Sequence, residues 1–463
     1  MKVSSAAEKL SADAWKVIGV VILGPFMTQM DSTIVNVSLP AIKDSLLSSV
    51  SLSQWIITGY LLALALMLPL NAWLVDLLGA KKLYLLCFFF FTAASGLCAM
   101  AATMPELIAA RVTQGVAGGL LAPLTQLMMA RVSGRQMARV AGYAAVPILF
   151  APLVGPLLAG VILQHFGWPW LFYVNLPVGA VAIALAVWWL PHDEPAAQRR
   201  PFDSQGFLLI SPGLVCLLYG LEAASRREPG AWALVPGVCL CVLFGWHAAK
   251  NRGRALVELD LFKIRVFSYA TVTMFLGNGI LYAGQFLIPL YLTLGCHLSA
   301  SQAGWILGAM GLGMLCVYPF MGWLTDTFGC RAVVSSGVVL NFVGTLPFVW
   351  MATHEFSTPL AILGLVIRGL GQGATGLPSV AAAYAAVPKS KLGLATMTVN
   401  IIQRLGGPIV TTLIAISVSF SVGVSRVSEE AFLLPFVALT LVQLLVIGTA
   451  VRLPVRIHSE ATT

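Results

Sequence analysis

The heptapeptide WLVDLLG at residues 73–79 recurs as WLTDTFG at residues 323–329, which is 250 positions later (323 − 73). Two further landmarks repeat in the same order. An arginine followed by Gln-Gly occurs at residues 111–115 and again at 368–373, and Gly-Pro at 155–156 is matched by Gly-Pro at 407–408. Matched landmarks at nearly one spacing indicate an internal duplication, so the chain is predicted to contain two homologous halves.

Apolar runs of about 20 residues follow one another through both copies, in a sequence that is 59% hydrophobic and only 10% charged. A helix of this length crosses about 30 Å of hydrocarbon, and continuous rather than alternating apolarity favours helices over barrel strands. We predict an all-α integral membrane protein. Its 14 expected spans lie near residues 16–38, 52–73, 82–102, 105–130, 140–163, 170–190, 206–222, 231–249, 267–292, 302–324, 332–351, 358–386, 393–420 and 430–452.

The repeat divides these spans into six, two and six. We therefore expect an N-terminal six-helix bundle at residues 1–190 and a C-terminal six-helix bundle at 267–463. Residues 191–266 are predicted to form a linker with two extra transmembrane helices. A duplicated six-plus-six helical chain is the architecture of secondary transporters, whose halves alternate access to a site near the middle of the membrane.

The net charge of +9 reflects membrane topology and does not indicate a nucleic-acid partner. With the N-terminus inside, 20 of the 27 Lys and Arg residues fall in inner loops and tails, and four fall in outer loops. The positive-inside rule then predicts a cytoplasmic (inner) membrane protein with both termini cytoplasmic. The eight cysteines lie mostly in apolar runs, where a thiol behaves as a small hydrophobe, so we expect no disulfide, metal or cofactor.

The duplicated chain and its motifs resemble the major facilitator superfamily, and the two extra central spans narrow the resemblance to its 14-span drug:proton antiporter family. The resemblance covers essentially the whole chain. The segment QMDSTIVNVSLP at residues 29–40 resembles the first-helix signature of that family. The resemblance implies a transporter, not an enzyme, that exports small lipophilic drug-like compounds in exchange for protons.

Asp31 is the only one of the 18 acidic residues that we place well inside a span. A charged carboxylate is costly in a low-dielectric interior, so a carboxyl group there suits the loading and unloading of a proton. We therefore predict that Asp31 is the proton carrier. The alternatives are a fixed ion pair or a hydrated Asp near the outer end of the first helix.

Arg111 begins the segment RVTQGVAGG, which resembles the superfamily's fourth-helix motif, whose arginine is implicated in proton transfer. A guanidinium does not release its proton at any working pH, so its predicted role is to tune or lock a carboxylate. Asp31 is the nearest candidate. The alternative is a structural anchor for backbone and for Gln114.

The segment at residues 71–82 resembles the superfamily's cytoplasmic gating motif. We expect a gate formed by Asp76, Lys81 and Lys82, with Asp326 and Arg331 in the second copy. An Asp at a helix end can accept hydrogen bonds in a latch that breaks on opening. The alternative is an ordinary turn with a capping Asp.

The fifth span carries Gly155, Pro156 and Gly160, which resemble the fifth-helix motif of the superfamily's exporters. This motif favours export over uptake, and the alternative is generic helix packing. The following segment, residues 168–179, is predicted to be an interfacial aromatic belt and helix start without a chemical role.

The predicted substrate cavity collects polar and aromatic side chains within spans, each of which could instead be an ordinary interhelical contact. A lone membrane carboxylate favours neutral, zwitterionic or singly charged substrates. The other expected partners are protons and membrane lipids. The cavity candidates are Gln29, Asn278, Tyr282, Gln285, Trp305, Asn400 and Arg404.

Two rival functions stay open. One is the export of a single endogenous metabolite. The other is a membrane enzyme or sensor, but we find no nucleophile, metal or phosphate-binding motif that would support it.

Overall fold

The computed structural model describes residues 11–133, 136–193, 201–225, 228–251, 255–424 and 429–455. Fourteen helices in these ranges are long and apolar enough to cross a membrane, which confirms the predicted fold class. In chain order they are α1 (Ala12–Ser45), α2 (Val50–Leu78), α3 (Ala80–Met100), α4 (Met104–Ser133), α5 (Met137–His165), α6 (Trp170–Trp189), α7 (Ser204–Ser225), α8 (Pro229–Lys250), α9 (Arg265–Gly295), α10 (Gln302–Phe328), α11 (Cys330–Met351), α12 (Thr358–Ala385), α13 (Lys389–Ser421) and α14 (Glu430–Ala450).

Several helices extend beyond the predicted apolar spans because backbone hydrogen bonding continues into polar residues. The first span was expected at residues 16–38, but α1 begins at Ala12 and ends at Ser45. Ser11 caps its start, since the Ser11 Oγ accepts a hydrogen bond from the Ala14 N–H at 3.1 Å. The hydrophobic pattern therefore locates the membrane-crossing part of a helix, and capping residues determine where the helix ends.

The duplicated heptapeptide adopts the same local structure in both halves. A 3-10 turn interrupts α2 at Leu68–Leu70 and α10 at Tyr318–Phe320, and each turn contains a proline, which cannot donate a backbone hydrogen bond. Each copy ends at a glycine with positive φ, +86° at Gly79 and +83° at Gly329. A side chain would be strained in that conformation, so the glycine of the repeat is required by the backbone.

The described helices group into two units, which we consider separately. One comprises residues 1–67, 73–140 and 150–200, and the other comprises 68–72, 141–149 and 201–463. In the first unit, α4 packs against α1, α2 and α3. In the second unit, α12 packs against α9, α10 and α11. Each unit thus surrounds one central helix, and these two helices carry the repeated arginine.

The two extra helices belong to the second unit. They pack closely against each other because Gly213 and Gly237 leave room for the facing helix, and α7 also contacts α13. The Asp203 carboxylate lies 2.9 Å from His247 Nε2 and accepts a hydrogen bond from the Leu256 N–H at 3.2 Å, which ties both helices to the segment before α9.

Eleven of the basic residues that support the predicted topology lie outside the described ranges. Of the basic residues counted for topology, those outside the described ranges are Lys2, Lys9, Arg135, Arg199, Arg200, Arg226, Arg227, Arg252, Arg254, Arg426 and Arg456.

Candidate functional site

Asp31 and Arg111 form a buried ion pair inside the first unit. Asp31 lies near the middle of α1 and Arg111 in the first third of α4, and the Arg111 Nη1 donates to Asp31 Oδ2 at 2.6 Å. Both side chains are 1% exposed. At this depth neither charge is solvated by water, so each depends on the other and on nearby dipoles for stabilisation.

Two amide side chains complete the surroundings of the Asp31 carboxylate. Gln114 Nε2 donates to Asp31 Oδ1 at 3.1 Å, and Asn175 Nδ2 donates to the same oxygen at 2.7 Å. Both amides also donate to Ser95 Oγ, at 2.7 and 3.3 Å. The Asp31 carboxylate thus accepts three hydrogen bonds, one from Arg111 and one from each amide.

The Arg111 guanidinium has contacts that do not involve Asp31. Its Nη1 donates to Gln114 Oε1 at 2.6 Å, and its Nε donates to the Ile56 carbonyl at 3.3 Å. Its Cζ lies 4.2 Å from the centroid of the Tyr60 ring, at cation–π distance. Arg111 therefore keeps binding partners when the Asp31 charge is removed, which allows the pair to separate without leaving the cation bare.

The prediction that residues 168–179 have no chemical role is wrong at Asn175. This side chain is fully buried and binds the Asp31 carboxylate directly. The surrounding residues follow the predicted pattern, with Trp170 half exposed and the Trp168 indole donating to Ser45 Oγ at 3.0 Å. The signal for Asn175 was an isolated amide within an apolar segment, and nothing in the sequence indicated which helix it faces.

Gly155 brings α5 close to α1 beside the ion pair. A Cβ at Gly155 would lie 3.1 Å from Thr33 Cβ and 3.5 Å from the Ile34 nitrogen, two and three positions from Asp31. Gly160 is different, because a Cβ there would meet no atom within 4 Å, and Pro156 is half-buried. Of the predicted exporter residues, Gly155 is the one whose missing side chain sets a helix contact.

The basic residues of the predicted gate bind backbone carbonyls in the structure. Lys81 Nζ donates to the carbonyls of Val187 and Leu190, at 2.9 and 2.7 Å, at the C-terminal end of α6. Arg331, 250 positions later (331 − 81), donates from Nε to the Leu453 carbonyl at 2.6 Å, just beyond α14. In each half, the basic residue thus caps the carbonyl end of the last helix, where cations are favoured.

The other residues around the gating motif differ between the copies. Asp76 is half-buried, Asp326 is exposed, and Lys82 extends into an exposed position. Asp193, which the sequence analysis missed, accepts hydrogen bonds from the backbone N–H groups of Lys81 and Lys82, at 2.8 and 3.1 Å. It caps the start of α3 from a position more than a hundred residues away, a pairing without a local sequence signal.

The predicted cavity residues differ in their hydrogen-bond contacts and in their exposure, and we describe them unit by unit. In the second unit, Asn278 Nδ2 donates to the Gln403 carbonyl at 2.7 Å, and the buried Asn400 Nδ2 donates to the Thr396 carbonyl at 2.8 Å. These two amides have the contacts expected of interhelical or intrahelical polar residues. Arg404 is half-buried, and the exposed candidates are Gln29 of the first unit and Tyr282, Gln285 and Trp305 of the second.

A metal site does not emerge from the part of the chain that the structure describes. No group of three or more His, Cys, Asp or Glu side chains in those ranges is arranged to hold an ion. Among the described acidic residues of the first unit, Asp31 is the one that is buried.

Comparison with known proteins identifies the family of this chain. The model of the Major Facilitator Superfamily matches residues 21–450. A multidrug resistance protein B homolog from Mycobacterium tuberculosis strain H37Rv is 32% identical over 434 residues, which cover 92% of this chain and 80% of the relative. A putative multidrug resistance protein MdtD from Cronobacter sakazakii is 33% identical over 341 residues, covering 72% of this chain and 71% of that protein.

Two solved structures share the fold. The human organic anion transporter MFSD10 (TETRAN) superposes with a TM-score of 0.66 at 18% identity, covering 94% of this chain and 99% of that one. The proton:xylose symporter XylE superposes with a TM-score of 0.65 at 14% identity, covering 94% and 95%. At these identities the similarity establishes the arrangement of helices.

Proposed function

This chain belongs to the Major Facilitator Superfamily, and on that premise we propose that it is a proton-coupled exporter of small lipophilic, drug-like compounds. Its relatives are named for multidrug resistance, which supports drug efflux as the transport activity. Members of the superfamily are transporters and not enzymes. The finer parts of the proposal are antiport with protons, the role of Asp31 and the direction of transport.

The observation that carries the proposal is the buried Asp31, whose partner Arg111 also has other binding partners. Asp31 is a membrane-embedded carboxylate, and its partner Arg111 has other contacts in Gln114, Ile56 and Tyr60. When a proton binds Asp31, the attraction for Arg111 is lost and the guanidinium can stay with those contacts. Protonation then becomes a local change in charge and hydrogen bonding that biases one conformation over another.

In the proposed cycle, the deprotonated state takes up substrate from the inner side, and the outward-open state receives a proton at Asp31 and releases the substrate. One proton provides about 2.3 kcal/mol per 100 mV of membrane potential and about 1.4 kcal/mol per pH unit. For a neutral substrate this sustains a concentration ratio of about 50-fold at 100 mV, and about tenfold more for each pH unit.

The direction and orientation rest on separate features. Export is supported by the fifth-helix motif, whose Gly155 lies against α1 beside Asp31. The charge asymmetry of the loops supports an inner-membrane location with both termini cytoplasmic. We also propose the division into bundles at residues 1–190 and 267–463 with a two-helix linker at 191–266. The proposed substrates are neutral, zwitterionic or monocationic, with membrane lipids as neighbours.

Proton release on substrate binding tests the proposal in a weakly buffered detergent solution. Adding a lipophilic monocation such as ethidium to the purified protein at mildly acidic pH should release protons, and Asp31→Asn should abolish the release. Thr113→Val is the matched control, because Thr113 lies on the same helix as Arg111 but is exposed and bonds only its own helix, at the Ala109 carbonyl. Ethidium binding without proton release from the unmodified protein would contradict antiport.

A further inference from the structure

The second unit carries a buried arginine at the position that Arg111 occupies in the first. Arg368 lies 257 positions after Arg111 (368 − 111), on the central helix α12. Its side chain is 0% exposed. The Cα of Arg368 lies about 15 Å along α12 from the nearer end at Thr358, so the guanidinium does not snorkel to the membrane surface.

Most of the Arg368 guanidinium lacks a binding partner. Nη1 donates to Thr345 Oγ1, while Nε and Nη2 are buried without a hydrogen-bond acceptor among the described residues. Thr345 lies 250 positions after Ser95 (345 − 95), and it is fixed by a hydrogen bond from Gln443 Nε2 at 2.8 Å. The polar surroundings of Arg111 are thus partly repeated around Arg368, but two donor nitrogens of Arg368 lack an acceptor among the described residues.

Among the described residues of the second unit, Arg368 has no carboxylate partner. The α9 residue that faces the guanidinium is Gly284, 253 positions after Asp31 (284 − 31), and the place of a Cβ on it is taken by Arg368 Nη2. Arg368 therefore meets bare backbone where Arg111 meets Asp31. The acidic residues of this unit whose side chains the structure describes lie in loops or near helix ends and make no ion pair with Arg368: Asp203, Glu222, Glu228, Glu258, Asp260, Asp326, Glu355 and Glu430.

An isolated buried cation is unfavourable, and arginine does not escape the cost by losing its proton. Water could bond the free Nε and Nη2, and the unpartnered Asn341 Oδ1 and Gln443 Oε1 are polar enough to hold it. Water does not neutralise the charge, however. A compact anion satisfies the donors and the charge together, with the charge-assisted hydrogen bonds that guanidinium groups favour.

We propose that Arg368 binds a small monovalent anion, such as a halide, through Nε and Nη2. The bound anion takes the electrostatic role that Asp31 has beside Arg111. Because a halide does not titrate in the physiological range, the two halves differ in function: the first exchanges a proton, and the second holds a charge pair that is independent of pH. The complete burial of Arg368 restricts the ligand to a few atoms.

Thermal unfolding of the purified full-length protein tests this site without relying on transport. Chloride is titrated against gluconate at constant ionic strength, with tryptophan fluorescence as the readout, and acetate is tested separately to distinguish a carboxylate ligand from a halide. An anion that binds only the folded protein raises its stability with concentration. We expect chloride or acetate to raise the unfolding midpoint by about 2–4 °C at a hundredfold excess over its Kd.

Two variants locate the effect. Gly284→Asp supplies a carboxylate from α9, and the flexible end of Arg368 can move to accommodate it; Arg368→Gln removes the cation. Both should unfold at a midpoint that no longer depends on chloride or acetate, while Arg265→Gln, which removes an exposed arginine at the start of α9 in the same unit, should respond as the unmodified protein does. Crystals grown in bromide should show an anomalous peak beside Arg368 Nε.

Three results would overturn the proposal. One is an unfolding midpoint of the unmodified protein that is the same in chloride, acetate and gluconate, which would leave only water at the site. Another is an undiminished response in Arg368→Gln, which would place the anion elsewhere. The third is a bromide peak that lies away from Arg368 in crystals of the unmodified protein.

Discussion

At the scale of single residues, the Asp31–Arg111 pair makes the strongest prediction about stability. Removing one member of a buried pair leaves the other charge uncompensated, at a cost of about 3–5 kcal/mol. Asp31→Asn and Arg111→Gln should therefore each lower the unfolding midpoint markedly. The double variant should lose less than the sum of the two, with a coupling of about 1–3 kcal/mol. Additive losses in thermal unfolding would show that the pair is not formed in the folded protein.

Asn175 leads to a prediction about transport. Its amide donates to Asp31 Oδ1 at 2.7 Å and helps to hold the carboxylate beside Arg111. Asn175→Leu removes this donor at similar size, and we expect it to lower the rate of ethidium transport by about tenfold because the carboxylate is then misplaced. The measurement is ethidium uptake into inverted vesicles. An unchanged rate would mean that the amide has only a packing role, and Thr113→Val should transport as the unmodified protein does.

Two of these residues could be predicted from the sequence because a charged side chain is costly to bury in an apolar helix. A single acid in an apolar helix stands out because its burial is costly, and an arginine three helices along needs a counter-charge, so Asp31 and Arg111 were predictable. Ser95 and Asn175 were not, because small polar residues are common in membrane helices. Their importance depends on which face of α3 and α6 turns towards α1, and that follows from packing.

At the scale of elements, the contact between α1 and α5 can be tested within one motif. A valine at Gly155 would push its methyl groups into Thr33 and Ile34, beside the ion pair, whereas a valine at Gly160 meets open space. Gly155→Val should lower ethidium efflux by at least about tenfold through misplacement of Asp31, and Gly160→Val should stay within about twofold of the unmodified protein. Equal losses in both variants, at equal expression, would argue against a special role for this contact.

The gating motif shows how an element can be predicted while its contacts are not. Gly79 and Gly329 end the two copies of the repeat, and their positive φ angles explain why the repeat keeps glycine there. Lys81 and Arg331 reach the carbonyl ends of α6 and α14, contacts that the motif itself does not indicate. These partners lie more than a hundred residues away along the chain, and only the folded structure brings them into contact.

At the scale of the whole molecule, the scarcity of membrane acids limits the charge of the substrate. One carboxylate does not compensate two positive charges and also hold a proton. The protein should therefore export ethidium but not a dication such as chlorhexidine. We expect at least about a tenfold difference in the rate of uptake into inverted vesicles at equal substrate concentration. Comparable rates for the two compounds would require a second acidic group at the substrate site.

The number and order of the helices were predictable because nearly every residue contributes to the hydrophobic pattern. Fourteen apolar runs correspond to 14 observed helices, and the repeated landmarks fall on equivalent helices in the two halves. The limits of α1 and the caps on α3 were less predictable, since single polar side chains decide them. Function follows the same division: membership of a transporter superfamily is supported by nearly the whole chain, and the proposed proton coupling depends on Asp31 and its few neighbours.

Proton-driven transport in proteoliposomes is the most direct test of proton-coupled export through Asp31. Purified protein is reconstituted with an imposed pH gradient, and ethidium movement and internal pH are recorded together for the unmodified chain and for Asp31→Asn. We predict that the unmodified protein moves ethidium against its gradient with a matching proton flux, and that Asp31→Asn loses both while still binding ethidium. Uphill transport that persists in Asp31→Asn, or that proceeds without proton flux in the unmodified protein, would contradict proton coupling through Asp31.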